Sequence, residues 1–240
     1  MQKESVLGVG VTISNYDELM DSIEKDIGEN VQKEIIAINP EKLVKAKNDA
    51  YVKQMLNSAE YAIPDGIGII IASKLKKGAI VSRVTGIGAM EKVCSLANNK
   101  GYKIFMYGAR EEILLKAKHA LEERYEKINI VGYQHGYEKD TNKIIESINE
   151  SEAQILFVAL GSPRQEMFIT ENKDKLCVNI LQGVGGSFDI IGDNVSRAPK
   201  WMQNLGLEWL FRLLKEPSRA GRQLDLFRFI GLVLIERRST

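Results

Sequence analysis

The sequence predicts an α/β fold in which a mostly parallel sheet is flanked by helices. Short segments rich in Val, Ile or Leu alternate along the chain with amphipathic stretches. Several of the apolar segments end in glycine, at points where a strand would turn into a helix. This alternation favours parallel strands that are joined by crossover helices.

Seven segments have the length, composition and flanking residues that strands require. They are Ser5–Val11, Glu34–Ile38, Glu60–Ile63, Lys103–Tyr107, Ile128–Gly132, Ala153–Leu160 and Val178–Val184. Five other segments predict helices, the first of them with Ser14 as its N-cap. They are Asn15–Asp26, Ile69–Leu75, Ala89–Asn98, Glu111–Glu123 and Asp140–Asn149.

Length and composition exclude several classes of protein. The 240 residues can bury a large core, and a formal net charge of +1 gives no general attraction to nucleic acid. Cys94 and Cys177 lie far apart in apolar segments, so both are expected to be reduced core residues in a cytosolic protein. Neither an export signal nor a run of roughly 20 apolar residues is visible, so we expect no membrane span.

The composition changes after Pro199. Residues 200–240 contain eight Lys or Arg and four acids, a net charge of +4. Because the whole chain carries +1, residues 1–199 carry −3. Apolar residues recur in this tail at helical spacing, with Pro217 between two predicted helices. One interpretation is a membrane-surface element, favoured by Leu232–Ile235 beside two arginines, and the other is a helix packed on its own domain.

A single carboxylate follows one predicted strand. Ile63-Pro64-Asp65-Gly66 places Asp65 at the carboxyl end of that strand, before an apolar helix. In parallel α/β sheets ligands bind at this edge. Glycine beside the carboxylate lets a substrate approach the backbone closely, so Asp65 is a candidate general base.

Three further strand ends carry glycine and predict a crevice of nucleotide size. The turn Tyr107-Gly108 offers backbone N–H groups to a phosphate or ribose. In the second, Gly161 precedes Gln165, which could hydrogen-bond a base or sugar. The third is Gly183 to Asp189, whose adjacent glycines Gly185 and Gly186 would let a ligand touch the backbone.

Other polar residues have plain alternatives. Arg83, in Ser82 to Gly86, could hold a phosphate in a bidentate grip or form a surface ion pair. His135 follows a strand without obvious partners, and His119 lies in a charged helix where solvent would surround it. Asp65 and Asp189 could share a divalent ion, but the chain has no D-x-D pair and no zinc-ligand spacing, so we expect no metal.

Several segments together resemble the WecG/TagA/CpsF family of glycosyltransferases. The likeness runs in the family's order along nearly the whole chain. It is carried by Ile38-Asn39-Pro40-Glu41-Lys42, Asp65-Gly66-Ile67, Ser82-Arg83-Val84-Thr85-Gly86, Gly132 to Tyr137, Ala159-Leu160-Gly161-Ser162-Pro163-Arg164-Gln165-Glu166, Gly183-Val184-Gly185-Gly186-Ser187-Phe188-Asp189, Arg197-Ala198-Pro199, Leu205 to Leu213, Glu216-Pro217-Ser218-Arg219 and Arg222-Gln223-Leu224.

The resemblance implies a Rossmann-like catalytic domain, residues 1–199, and a helical membrane-docking appendage, residues 200–240. It implies inverting transfer of an N-acetylmannosamine-type sugar from UDP to the C4 hydroxyl of N-acetylglucosamine on undecaprenyl diphosphate. Such products enter wall teichoic acid, common antigen or capsule. The enzyme would work without a metal cofactor, peripherally on the inner face of the cell membrane. Its exposed apolar tail suggests a homo-oligomer when no membrane is present.

The same resemblance assigns roles to residues. Asp65 would be the catalytic base. The substrate-binding set is Asn39, Arg83, Gly86, Tyr107, Gly108, Gly161, Gln165, Gly185, Gly186 and Asp189. The lipid-diphosphate and membrane set is Arg212, Arg219 and Arg222. Ala37 and Gly88 depart from the family's usual Thr and Asp, which leaves the identity of the sugar open.

Two rival classes stand beside this interpretation. A nucleotide-dependent oxidoreductase would need a glycine-rich first turn followed by an acidic ribose ligand, and the chain has no such arrangement. A non-catalytic nucleotide-sugar-binding protein would have lost its base, whereas Asp65 is present. A different UDP-sugar donor within the same family is a further alternative.

Overall fold

The computed structural model describes residues 1–196, 198–215 and 220–238 as strands, helices and the loops between them. The strands are β1 (Lys3–Val6), β2 (Val9–Thr12), β3 (Lys33–Ile38), β4 (Tyr61–Pro64), β5 (Lys103–Gly108), β6 (Asn129–Gln134), β7 (Ile155–Ala159) and β8 (Ile180–Gly183). The helices are α1 (Tyr16–Gly28), α2 (Pro40–Asn48), α3 (Ala50–Ser58), α4 (Ile67–Leu75), α5 (Gly86–Lys100), α6 (Glu111–Arg124), α7 (Thr141–Glu150), α8 (Arg164–Asn172), α9 (Ser187–Ile191), α10 (Lys200–Asn204), α11 (Glu208–Lys215) and α12 (Ala220–Arg238).

Six strands form one sheet in the order β4-β3-β8-β7-β5-β6, and every neighbouring pair is parallel. The predicted α/β class with a parallel sheet is therefore confirmed. The carboxyl ends of all six strands point to one edge of the sheet, since parallel strands share one direction.

Helices cover both faces of the sheet. Side chains of alternate strand residues enter one cluster with α1, α5, α6 and α9. The intervening residues pack against α2, α3, α4 and α12 on one half of the other face, and against α7 and α8 on the other half. All strands of the sheet except the edge strand β6 are mostly buried on both sides, which explains their nearly unbroken apolar runs.

The first predicted strand is wrong as a single element. Leu7 and Gly8 both have positive φ, 52° and 79°, and form a tight turn between β1 and β2. The two strands pair antiparallel as a separate hairpin. The two-residue turn satisfies the primed geometry that hairpins favour.

Local details of other elements also differ from the sequence prediction. The N-cap of α1 is Asn15 rather than Ser14, and its side chain accepts from the backbone of Asp17 and Glu18. Helices α2 and α3 were not predicted, although Asn39-Pro40 is a cap followed by proline at the first helical position. Cys94 is buried as expected, but Cys177 is exposed, so its assignment to the core was wrong.

The last helix packs on the body of the protein. Phe229 and Val233 of α12 are each 1% exposed and belong to the cluster formed by α2 and α4. A Cβ on Gly68 of α4 would lie 2.7 Å from Pro40 Cγ of α2 and 3.3 Å from Leu226 Cδ1 of α12, so the missing side chain permits these close approaches. The described part of α12 thus matches the interpretation of a helix packed on its own domain.

Apolar residues of the tail also remain exposed, among them Trp201, Leu214 and Leu234. In the part of the chain that the structure describes, no helix is long and apolar enough to cross a bilayer. Arg219 and the side chains of Arg212 and Arg222 lie outside the described residues, as does Pro217. The division into two domains at residue 199 stays a prediction.

A carboxyl group is buried where β3 begins. The side chain of Glu34 is 1% exposed, and its Oε1 makes no hydrogen bond among the described residues. Burial raises the pKa of Glu34 to about 8, against the opposing charge of Lys173. Folding therefore favours the protonated form of Glu34.

Glu34→Gln should flatten the dependence of stability on pH. Between the ordinary pKa of 4.5 and about 8, folded Glu34 retains a proton that the unfolded chain has lost. The free energy of unfolding then falls as pH rises, by at most about 1.4 kcal/mol per pH unit. Urea unfolding of the variant at pH 5.5, 6.5 and 7.5 should show a shallower fall than in the parent. The exposed Glu112→Gln serves as control, and equal slopes for Glu34→Gln and the parent would contradict the assignment.

Candidate active site

The site lies at the carboxyl edge of the sheet. Asn39 follows β3, Asp65 follows β4, and Gly185 follows β8. Gly161 follows β7, and Gly108 ends β5. Since these strands are consecutive in the sheet and parallel, the register brings the five residues to one edge.

The connections that leave β5 and β7 run to opposite faces of the sheet. Helix α6 leaves β5 toward one face of the sheet, whereas α8 leaves β7 toward the other. Neighbouring strands whose connections run to opposite faces leave a crevice at their carboxyl ends, where α/β proteins bind ligands. The predicted glycine turns of β5 and β7 therefore border this crevice.

The backbone around Asp65 is held by neighbouring strands. Asp65 N donates to Ile38 O at 2.8 Å, and Val84 N donates to Pro64 O at 3.0 Å. Gly66 has a φ of +93°, which only glycine adopts readily, and it begins α4 without a side-chain cap. These contacts fix the partly exposed Asp65 at the end of β4.

Gly86 keeps space beside the carboxylate. A Cβ built on Gly86 would lie 3.9 Å from Asp65 Oδ2 and 3.1 Å from the Cβ of Ala37. The carbonyl of Gly86 accepts from Gln182 Nε2 at 2.9 Å, which ties this loop to β8. Two small residues, Ala37 and Gly86, thus leave space next to Asp65.

Tyr16 occupies the position of a side chain at residue 88. A Cβ on Gly88 would lie 2.2 Å from the Tyr16 hydroxyl oxygen. That hydroxyl accepts from Thr85 N at 2.9 Å and lies 3.1 Å from Thr85 Oγ1. Glycine at position 88 departs from the family pattern, and the structure gives a reason. The Tyr16 hydroxyl fills the space that a larger side chain at Gly88 would need.

Asn39 caps a helix at the edge of the site. Its Oδ1 accepts from Lys42 N at 2.9 Å and so begins α2. Among the described residues its amide nitrogen makes no hydrogen bond. The sequence prediction of a sugar contact stays a prediction, and the amide nitrogen is the group that could make it.

Arg83 joins the loop before α5 to the tail. Its Nη2 donates to Glu208 Oε2 of α11 at 3.0 Å, and both side chains are mostly buried. Arg83 thus forms an ion pair, although a mostly buried one rather than the surface pair of the sequence alternative, and its predicted contact with the substrate stays a prediction. The pair places the start of α11 beside the loop whose Val84 N–H donates to Pro64 O, next to Asp65.

The β5 turn brings two backbones together. Gly108 has a φ of +114°, and a Cβ there would lie 2.5 Å from Ala159 O of β7. Ala109, also at positive φ, donates through its N–H to Ala159 O at 2.8 Å. The ring of Tyr107 is buried against Phe168, with centroids 4.9 Å apart, so residue 107 borders the crevice through its backbone.

Gln165 lies inside the protein rather than in the open crevice. The side chain is 3% exposed. Its Oε1 accepts from Gly185 N at 2.9 Å, and its Nε2 donates to Glu166 Oε1 at 3.0 Å. A Cβ on Gly183 would lie 2.6 Å from Gln165 Nε2, so glycine makes room for this amide. Its predicted contact with the donor stays a prediction.

Gly186 and Asp189 follow β8. Gly186 is exposed, and Asp189 lies in the first turn of α9, partly exposed. β3 separates β4 from β8, so Asp65 and Asp189 extend from strand ends about 10 Å apart. In the described ranges, no group of three His, Cys, Asp or Glu could hold a metal ion. Metal independence stays a prediction.

Sequence reasoning missed the pairing of two charged residues. Lys42 Nζ and Glu166 Oε1 form a buried ion pair at 2.7 Å, with side-chain exposures of 10% and 1%. Burial alone would raise the pKa of Glu166, but the charge and hydrogen bond of Lys42 hold it below its ordinary value. Both residues stood in the quoted motifs, and only the fold brings them together.

A surface hollow of about 400 Å³ lies elsewhere, where β3 and β4 begin. Asp26, Glu60 and Tyr61 are among its lining residues, and the Tyr61 hydroxyl donates to Asp26. It contains none of the predicted site residues. The predicted site residues lie instead at the opposite edge of the sheet.

Comparison with known proteins gives two findings. The profile of the Glycosyl transferase WecG/TagA/CpsF family matches residues 4–240. The chain is also similar to N-acetylglucosaminyldiphosphoundecaprenol N-acetyl-beta-D-mannosaminyltransferase of Bacillus subtilis (strain 168). The two are 33% identical over 240 residues, which is 100% of this chain and 94% of the relative.

Gly108→Ala should destabilise the protein and weaken nucleotide binding. The added methyl group meets a backbone carbonyl 2.5 Å away, at a φ of +114°. Strain of this kind costs on the order of 1–3 kcal/mol. Urea unfolding and UDP titration measure the two effects.

Gly28→Ala is the matched control, because a Cβ there meets nothing within 4 Å. It should leave the unfolding midpoint and the affinity for UDP close to those of the parent. A Gly108→Ala protein as stable as the control would contradict the close backbone approach.

Proposed function

This chain belongs to the WecG/TagA/CpsF family of glycosyl transferases, and we propose from that premise that it moves an N-acetylmannosamine-type sugar from UDP to a lipid-linked acceptor. The acceptor is the C4 hydroxyl of N-acetylglucosamine on undecaprenyl diphosphate. The activity for which the Bacillus subtilis relative is named supports this pair of sugars and the lipid carrier. The product serves the synthesis of a cell-surface polymer, such as wall teichoic acid, common antigen or capsule.

One observation carries the mechanism, namely the carboxylate of Asp65 at the carboxyl edge of the sheet, between Gly66 and Gly86. The acceptor hydroxyl oxygen attacks the anomeric carbon and forms the new C–O bond. The bond from that carbon to the phosphate oxygen breaks, and UDP departs with the electron pair. Asp65 takes the hydroxyl proton, and attack in line inverts the anomeric configuration.

Backbone groups stabilise the leaving diphosphate. The Gly108–Ala109 turn and the Gly185–Gly186 turn present backbone beside the crevice without bulky side chains. Helices α6 and α8 both begin at this edge without a side-chain cap. Their N-terminal N–H groups and partial positive charge favour a bound diphosphate. No metal cofactor is needed in this scheme.

The tail brings the site to the membrane. Arg83 links the loop that precedes α5 to α11. Apolar surface is exposed on α10, on α11 and on their connection, at Trp201, Leu205 and Leu214. We place the enzyme peripherally on the inner face of the cell membrane, with the arginines of the tail near the lipid diphosphate. The same exposed surface would associate as a homo-oligomer in the absence of lipid.

A second donor is favoured by one observation. Tyr16 occupies the space beside Gly88. Gly88 and Ala37 are the two positions at which the resemblance leads us to expect Asp and Thr instead. These residues border the carboxylate side of the crevice, so UDP-ManNAcA or a UDP-hexose is the alternative donor. A screen of UDP-sugars against a short-chain GlcNAc-diphosphate-lipid, read by product mass, separates the donors.

Asp65→Asn should lower turnover by roughly 10²–10⁴-fold, because an amide cannot accept the hydroxyl proton. Binding of UDP, measured by titration, should stay unchanged, since the nucleotide is held by other strand ends. The exposed Asp174→Asn is the matched control and should turn over normally. Near-normal turnover by Asp65→Asn would refute its role as the base. If the parent protein itself formed no product, the proposed transferase activity would be refuted.

Replacing Leu214 and Leu234 together by Ser should weaken binding to anionic liposomes. Both leucines are exposed, at 71% and 43%, so folding should be little affected. Because two apolar contacts with lipid are lost, we expect the affinity for the liposomes to fall by roughly tenfold or more. We use point substitutions because deletion of α12 would uncover Phe229 and Val233. Leu115→Ser on α6 is the control, and equal liposome binding by all proteins would contradict the docking surface.

A further inference from the structure

A chain of polar contacts connects three elements across the site. Lys42 Nζ of α2 donates to Glu166 Oε1 of α8 at 2.7 Å. Gln165 Nε2 donates to the same carboxylate oxygen at 3.0 Å. Gln165 Oε1 accepts from Gly185 N, after β8, at 2.9 Å. We name this set of four residues the α2–α8–β8 relay.

The relay determines which way the Gln165 amide faces. An ionised carboxylate can only accept hydrogen bonds, so the NH₂ group of Gln165 must face Glu166. The carbonyl oxygen of Gln165 is then left to face Gly185, whose N–H needs an acceptor. A reversed amide would set two donors against each other at Gly185.

The charge of Lys42 keeps this arrangement intact. Glu166 is 1% exposed, and an unpaired carboxyl in such a place would take up a proton. Lys42 lies against Glu166 and holds the pKa of that carboxyl down despite burial. A protonated Glu166 could donate to Gln165 Oε1 and release Gly185.

The geometry of the Lys42–Glu166 ion pair is not one that stability alone would favour. Glu166 Oε2 is buried and makes no hydrogen bond within the described ranges. A buried pair with an unsatisfied oxygen contributes little net stability compared with apolar residues of the same size. Its geometry instead serves the orientation of its neighbour Gln165.

We propose that Lys42 and Glu166 are positioning residues, which fix the Gly185–Gly186 backbone for the diphosphate of the sugar donor. This inference rests on the proposed function for the identity of the ligand. Lys42 and Glu166 do not touch the substrate in this scheme. They act through Gln165, whose buried amide holds the first residue of the glycine pair.

Lys42→Met tests the relay by removing the charge at similar side-chain length. The KM for the UDP-sugar should rise roughly tenfold, about the worth of one hydrogen bond, while kcat changes less than twofold. Exchange of the Gly185 amide hydrogen, followed by NMR without ligand, should accelerate. Lys42→Arg keeps the charge and should restore both values.

Lys45→Met is the matched control. Lys45 lies on the same helix and pairs with Glu41 at 2.9 Å, with side-chain exposures of 43% and 25%. It has no part in the relay and should behave as the parent. A Lys42→Met protein that matched this control in both KM and Gly185 exchange would overturn the proposal.

Gln165→Met gives a second route if Lys42→Met does not fold, because it leaves the ion pair in place. It should raise the KM for donor by a similar factor. Gln165→Met should also accelerate exchange of the Gly185 amide hydrogen, and exchange as slow as in the parent would overturn the proposal. Where Lys42→Met folds, the double variant should be no worse than either single one, since both cut the same connection. Additive effects would overturn the relay. The Gly185 measurement needs no substrate, so it reports on the relay even if the parent fails to transfer sugar.

Discussion

The parallel hydrogen-bond ladder of the sheet positions everything that we assign to the site. Asn39, Asp65, Gly108, Gly161 and Gly185 lie at the ends of five different strands, yet register and direction bring them to one edge. A slip of one residue in any strand would turn its side chains to the opposite face and displace the residue at its end. Catalytic geometry therefore depends first on backbone pairing and only then on the side chains themselves.

Around that edge, small residues and buried polar contacts have complementary parts. Glycine keeps the backbone accessible beside Asp65 and between β5 and β7, where larger side chains would collide. The polar contacts restrain the turns that glycine alone would leave free. Arg83 with Glu208 and Lys42 with Glu166 each join elements more than a hundred positions apart in sequence. The crevice is thus accessible to a ligand, while buried polar contacts keep its turns in place.

Local patterns allowed much of this to be predicted from sequence. Apolar strands that end in glycine predicted the parallel sheet and the edge at which we propose the site, because both signals act within a few residues. The β1–β2 hairpin was missed since Ser5–Val11 forms one apolar run, interrupted only by a turn at Leu7 and Gly8. The Lys42–Glu166 pair and the inward position of Gln165 depend on how distant segments pack, and no local pattern contains that information.

The burial of Phe229 and Val233 has a consequence for how the chain is made. The cluster that they complete also contains residues of the first hairpin and of β3, so its first and last members are over two hundred positions apart. During synthesis that half of the core stays open to water until α12 has left the ribosome. Until then the nascent polypeptide exposes the apolar surface that Phe229 and Val233 cover in the folded protein.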